Sequence, residues 1–306
     1  MSTSPRILVA PDRATPETIE AITRGGGVLA RVATQADAIV WTRPKEAIGL
    51  RELLAAGPDI RWVQLPFAGI EPFLDLLDDG RTWTCGKGVY AEPVAEMALG
   101  MLIGGLRHLT GYARQDRWSD SRGLNLLDAR VTIVGGGEIT RSLITLLTPF
   151  RAHITVVRRR EAPVEGAQRV LPTSRLIEAV TGADAVVLAL AFTPETERLV
   201  DAAVLAAMEP HAWLVNVARG RHVDTDALVA ALTSGTIGGA ALDVTDPEPL
   251  PAGHPLWSLP NCLITPHTGN TPEMGVPLLA ARTETNVARF ARGEELIGVV
   301  DVSAGY

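Results

Sequence analysis

Three stretches in the second half of the sequence, VNVARGRHVD, ALDVTDPEPLPAGHPLW and LITPHTGN, each run from apolar residues into polar ones and carry Arg219, Glu248 and His267. An imidazole, whose ordinary pKa is about 6.5, takes or returns a proton near neutral pH, which suits His267 to general acid–base chemistry. A carboxylate at Glu248, hydrogen-bonded to the other ring nitrogen, would fix the tautomer and stabilise the imidazolium. Arg219 stays protonated at any working pH and can bind a carboxylate or polarise a carbonyl. Taken singly, these are a loop charge, a solvent-facing acid and a turn residue. Taken together, each follows a strand, so all three emerge at the carboxyl edge of one sheet. His108, His153, His211, His222 and His254 lack such a setting and read as surface or structural residues, with His254 in the same loop as Glu248.

On the same edge, VTIVGGGEITRSL (residues 131–143) reads as a buried strand, a glycine turn and a helix. Gly135 makes the tight turn and Gly137 lets the backbone approach a pyrophosphate. The first helical N–H groups, at Glu138 and Ile139, and the positive dipole end attract the phosphates. Thr140 stands where a third glycine is expected. That glycine serves mainly strand-to-helix packing, so Thr140 is expected to push the helix outward and spare the anion site. The next strand, ITVVRRR, ends in Arg158, Arg159 and Arg160, and Arg158 lies 23 residues beyond Gly135. An Asp or Glu normally meets the ribose 2′-OH there, whereas guanidinium groups bind a 2′-phosphate. NADP(H) is therefore the favoured cofactor and NAD(H) a possible one. The plain alternatives are a turn without ligand and a solvated charge run.

The elements that must position these residues alternate short apolar strands with amphipathic stretches: RILVA, AIVW and RWVQL, then VTIVG, HITVV, AVVLAL, AWLVNV, GGAALDV and CLIT. This pattern predicts an α/β chain of two doubly wound parallel-sheet domains. Six strongly apolar strands between residues 131 and 267 form one sheet. Pro93, at a helix start, marks the first crossing between domains. A last helix from about Glu273, with Val276, Leu279, Ala280, Thr283 and Val287 on one face, packs back on the first domain. The expected organisation is a substrate domain of residues 1–92 and 273–306 into which a Rossmann nucleotide-binding domain, 93–272, is inserted.

The chain of 306 residues has a net charge of −7, which gives no reason to expect nucleic-acid or anionic-membrane binding. Cys85 and Cys262 lack ligand spacing and read as core thiols, so no metal site is expected. No signal-peptide core opens the sequence, and the apolar VAEMALGMLIGGL is interrupted by Glu96 and too short to span a membrane. A cytoplasmic protein is expected.

In order and content, these motifs resemble the D-isomer-specific 2-hydroxyacid dehydrogenases, the family that includes glyoxylate/hydroxypyruvate reductases and D-3-phosphoglycerate dehydrogenases. The likeness runs from residue 60 to 290 and is strongest from VNVARGRHVDTDALVAAL through ALDVTDPEPLPAGHPLWSLPNCLITPH. The resemblance implies a flavodoxin-like substrate domain, a homodimer, and interconversion of a 2-keto acid and a D-2-hydroxy acid by hydride transfer. It implies Arg219, Glu248 and His267 as the catalytic trio, with Asp243 meeting the nicotinamide carboxamide and Val217 beside the cofactor. QLPFAGIEPF is similar to the family's substrate loop, in which N–H groups near Phe67, Ala68 and Gly69 hold the carboxylate and Phe67 lines an apolar wall.

The sequence departs from the family pattern at Thr140, at Tyr90 (usually Asn) and at Ala191 (usually Pro). Formate dehydrogenases pair the histidine with Gln, so Glu248 argues against that branch. A catalytically idle dinucleotide sensor or corepressor is the alternative of another class. It would have no need of an intact trio.

Overall fold

A computed structural model describes residues 4–302 and divides the chain into two compact units, one running to Tyr90 and resuming at Thr271, the other spanning Ala91–Asn270. Each unit is built on one sheet in which every strand pair is parallel.

The first unit contains β1 (Arg6–Ala10), α1 (Pro16–Arg24), β2 (Val28–Leu29), β3 (Ala38–Trp41), α2 (Ala47–Ala56), β4 (Trp62–Gln64) and β5 (Thr82–Thr84). Its strand order, β2-β1-β3-β4-β5, is the flavodoxin-like one. The sequence pattern did not reveal β2 or β5, because two or three residues are too few to show a period. The chain's last helix, Pro272–Arg292, packs on α1. Glycine allows the close approach: a Cβ on Gly25 would lie 2.6 Å from the Glu284 carbonyl oxygen. Of the face expected on this helix, Ala280, Thr283 and Val287 are buried, and Val276 and Leu279 are half-buried.

A polar residue, Asn286, sits fully buried beside them at the centre of a hydrogen-bonded network. Its Nδ2 donates to Gln64 Oε1 (3.1 Å) and to the Ile297 carbonyl (2.9 Å), and its Oδ1 accepts from Ile297 N–H (2.8 Å). Thr84 Oγ1 donates to the same Gln64 oxygen at 2.9 Å and accepts from Trp62 Nε1 at 2.8 Å. The network ties β4 to β5 and to the last helix, fixing where the loop after Gln64 leaves the sheet.

The second unit contains α3 (Ala91–Leu106), α4 (Leu109–Ala113), β6 (Arg130–Val134), α5 (Glu138–Leu147), β7 (His153–Arg158), β8 (Arg169–Pro172), α6 (Leu176–Val180) and β9 (Ala185–Leu188). It continues through α7 (Ala202–Ala207), β10 (Trp213–Asn216), α8 (Thr225–Ser234), β11 (Gly239–Leu242) and β12 (Cys262–Ile264). The strand order is β12-β11-β10-β9-β6-β7-β8. The sheet has a seventh strand, β8, which the sequence reading missed because RVLP is short and begins with an exposed arginine. Apolar cores cover both faces, as a parallel sheet requires. Helix α3 begins at Ala91, two residues before the expected Pro93 start, which places Pro93 in the first turn, where an N–H has no helical acceptor. No helix of the described residues is long and apolar enough to cross a membrane. Both cysteines are buried, and burial raises their thiol pKa values, that of Cys262 to about 12.

The Asn286 network yields a stability prediction. Asn286→Leu removes one of the two donors on Gln64 Oε1, which keeps Thr84 Oγ1, and leaves both peptide groups of Ile297 without partners; it should cost about 2–4 kcal/mol in urea unfolding. A loss under about 1 kcal/mol would mean that the network does not anchor the last helix.

Candidate active site

In the second unit the strands end level. Val157, Val134, Leu188, Asn216, Leu242 and Ile264 are consecutive Cα partners across β7, β6, β9, β10, β11 and β12. The segments that follow them therefore rise from one edge. The chain goes from β6 outward through β7 to β8, then returns to β9 on the other side of β6. The switch point of the sheet thus lies between β6 and β9, where open α/β sheets bind nucleotides.

The glycine turn stands at that point. Gly135 has φ +121°, and a Cβ there would collide with the Ala189 carbonyl oxygen, so only glycine fits. Gly137 precedes α5 with no side-chain cap, and a Cβ on it would meet nothing within 4 Å. The N–H groups of Gly136, Gly137, Glu138 and Ile139 find no backbone acceptor among the described residues, leaving a row of donors at a helix start. Thr140 is fully buried, and its hydroxyl donates to the Gly135 carbonyl at 3.0 Å, a bond that a third glycine could not make. Glu138 pairs with Arg141, one turn along. Arg158, at the end of β7, lies over the same turn: a Cβ on Gly136 would be 3.0 Å from Arg158 Nε. Its guanidinium has no hydrogen bond or ion pair to any described residue.

After β10, Asn216 clasps the turn that carries Arg219. Its Oδ1 accepts from Ala218 N–H at 3.0 Å, and its Nδ2 donates to the Arg219 carbonyl at 2.9 Å. Val217 is buried beside it, and Arg219 is half-buried with Nη1 on the Ala218 carbonyl (2.8 Å). Gly220 packs against the Thr245 carbonyl, with no room for a side chain.

After β11, Asp243 is 3% exposed, and its carboxylate is occupied by the turn after β12. Oδ1 accepts from Thr265 Oγ1 (2.5 Å) and Thr268 N–H (2.8 Å), and Oδ2 accepts from Gly269 N–H (2.9 Å). The Asp243 carbonyl also accepts the N–H of His267 at 2.8 Å. His267 is thereby held at φ +55°, with Nδ1 2.9 Å from Glu248 Oε1. The loop bearing Glu248 is pinned by Thr245 Oγ1 on the Pro247 carbonyl (2.9 Å) and Thr225 Oγ1 on the Asp246 carbonyl (2.8 Å). With Nδ1–H facing the carboxylate, Nε2 is left open on a side chain 50% exposed. His254 instead accepts from Leu256 N–H and caps its own turn.

In the first unit, Phe67, Ala68 and Gly69 follow β4 and present backbone N–H groups with no backbone acceptor among the described residues. Tyr90 fixes this loop. Its hydroxyl donates to the Pro66 carbonyl at 2.6 Å, and its ring lies 5.4 Å from that of Phe67. Burial raises the phenol's pKa well above its usual range, which keeps the donor protonated.

Asn216, Thr225 and Thr265 escaped the sequence reading. The available signal was a polar residue closing or following an otherwise apolar strand, as in WLVN and CLIT.

Comparison with known proteins places the chain among dehydrogenases. Residues 97–269 match the family model described as D-isomer specific 2-hydroxyacid dehydrogenase, NAD binding domain. A glyoxylate/hydroxypyruvate reductase A of Serratia proteamaculans is 30% identical, over 88% of this chain and 87% of the relative. A D-isomer specific 2-hydroxyacid dehydrogenase of Xanthobacter autotrophicus, solved with NADPH and MES, is 26% identical with TM-score 0.85, covering 99% of this chain and 100% of that one. An NADPH-dependent glyoxylate/hydroxypyruvate reductase of Sinorhizobium meliloti, solved with NADP and sulfate, is 25% identical with TM-score 0.81 over 99% and 100%.

The Asp243 clamp generates its own prediction. In Asp243→Ala, hydrogen exchange at the Thr268 and Gly269 amides should accelerate at least about tenfold, because both lose a charged acceptor. Unchanged protection would mean that the turn holds itself.

Proposed function

This chain belongs to the D-isomer specific 2-hydroxyacid dehydrogenase family, and we propose that it reduces small 2-keto acids to D-2-hydroxy acids with NADPH as the preferred cofactor. It is an oxidoreductase acting on CH–OH groups. The observation that carries the finer reading is the His267–Glu248 pair at 2.9 Å, with Nε2 open on the same sheet edge as the glycine turn.

The free N–H row at Gly136–Ile139 and the turn that only Gly135 fits suit a dinucleotide pyrophosphate. When bound, the dinucleotide supplies the hydride that adds to the keto carbon. The rest belongs to the chain's own residues. His267 in its imidazolium form gives the Nε2 proton to the carbonyl oxygen as that oxygen gains charge. Glu248 orients the ring and stabilises its positive form before transfer. Arg219 polarises the carbonyl or holds the carboxylate, and in the first unit the N–H groups of Phe67, Ala68 and Gly69 are donors of the kind that suits a carboxylate. Phe67 and Tyr90 give that loop an apolar wall, and QLPFAGIEPF itself carries no Lys or Arg, which favours small unphosphorylated acids such as glyoxylate and hydroxypyruvate.

Arg158 supports NADPH. It lies over the turn without an ion pair, where a carboxylate would accept bonds from the 2′-OH, and Arg159 follows it. The relatives solved with NADPH or NADP support the same preference.

His267→Ala should lower kcat at least about 100-fold, the usual scale of general acid–base catalysis, while NADPH affinity is largely spared. A variant keeping a tenth of wild-type kcat would remove His267 from proton transfer. Arg158→Asp should shift the kcat/KM ratio toward NADH at least about tenfold, since one charge-assisted bond to the 2′-phosphate is worth that much. An unchanged ratio would return the arginines to a solvated strand end.

A further inference from the structure

Loop 189–196 leaves β9 on the far side of the switch point from the glycine turn. Ala189 N–H donates to the Val134 carbonyl at 2.8 Å, and the Ala189 carbonyl occupies the space that only a glycine at position 135 leaves open. Anything bound over that turn must meet this loop. Farther along, the Thr193 hydroxyl chiefly, with the Arg159 guanidinium adding to it, holds the Glu195 carboxyl below the usual range. The loop therefore borders both the pyrophosphate end and the arginine end of the candidate dinucleotide site.

His222 joins the two ends of that loop. Its ring is fully buried, with Nδ1 3.0 Å from the Thr196 carbonyl and Nε2 3.3 Å from the Leu190 carbonyl. Phe192 covers it at 5.7 Å between ring centroids, and the Arg221 guanidinium lies 4.6 Å from the centroid of the same Phe192 ring. Through its backbone, His222 closes the turn that begins at Arg219, donating its N–H to the Arg219 carbonyl at 3.2 Å. A buried imidazole is costly unless bonded, and an apolar side chain here would leave the Leu190 carbonyl without its ring partner and the Thr196 carbonyl with only the long bond from Leu199 N–H at 3.4 Å.

We propose that His222 is a positioning residue that holds loop 189–196 against the bound dinucleotide and in register with the turn carrying Arg219. The inference rests on the dinucleotide reading of the glycine turn. His222 touches neither cofactor nor substrate itself. It sets the loop that faces the one and the turn that presents the arginine to the other.

The test compares His222→Leu, which makes neither bond, with His222→Asn, whose Nδ2 can replace Nδ1. In the Leu variant, amide exchange over residues 190–196 of the ligand-free protein should accelerate at least about tenfold, and the Kd for NADPH should rise about tenfold. The Asn variant should recover both to within about threefold of wild type. A Leu variant with wild-type exchange and Kd overturns the proposal. If the Leu variant does not fold, His222→Gln, which keeps only the longer bond, should still weaken NADPH binding about fivefold, and a wild-type Kd in that folded variant overturns the proposal equally. If wild type binds NADPH but reduces no 2-keto acid, the dehydrogenase reading fails while exchange and Kd still decide the role of His222.

Discussion

The carboxylate of Asp243 accepts Thr265 Oγ1, Thr268 N–H and Gly269 N–H, and the remaining chemistry of the site depends on that clamp. His267 stands in the left-handed region at φ +55°, a conformation that costs a residue with a Cβ about 1–2 kcal/mol. The turn keeps it there because three bonds to a buried carboxylate, each worth about 1.5–3 kcal/mol, outweigh that cost. The backbone then aims the imidazole so that one nitrogen meets Glu248 and the other stays open. The family resemblance assigned Asp243 to the nicotinamide carboxamide. That role is compatible with what its carboxylate also does, which is to hold the turn that bears the histidine.

The same device recurs at two other places where a strand hands over to a functional loop. Asn216, buried at the end of β10, satisfies both Ala218 N–H and the Arg219 carbonyl. Gln64, buried at the end of β4, is held by Thr84 and Asn286 and donates to the Leu65 carbonyl at 2.8 Å. In each case a polar side chain is taken out of water and made to bond the backbone that follows. That arrangement is rigid because any shift leaves a buried group unpaired. Apolar strands supply the stability, and these few polar groups supply the geometry.

Much of this was legible in the sequence. Long apolar strands announced themselves by length and flanking turns, and both sheets proved parallel as the alternation required. Gly135 was legible because a glycine after a buried strand has a steric meaning, and Arg219, Glu248 and His267 because each followed such a strand. The rest was hidden for physical reasons. Strands β2 and β5 are too short to show a period. Asn286 reads as a solvent residue until the helix is docked. His222 sits in the same short stretch as Arg219, yet its value comes from two carbonyls 26 and 32 residues away in sequence, which no local pattern encodes. Thr140 looked like a defect in a glycine motif until its hydroxyl was seen to close the turn.

In the proposed reaction the His267–Glu248 pair delivers a proton to a keto oxygen as hydride reaches the adjoining carbon. The most direct test is to incubate the wild-type protein with NADPH and a panel of small 2-keto acids, following NADPH loss together with the chirality and amount of hydroxy acid formed. One D-2-hydroxy acid should form for each NADPH consumed. Measurable NADPH binding with no hydroxy acid from any member of the panel would contradict the proposed reaction and favour a dinucleotide sensor on the same fold.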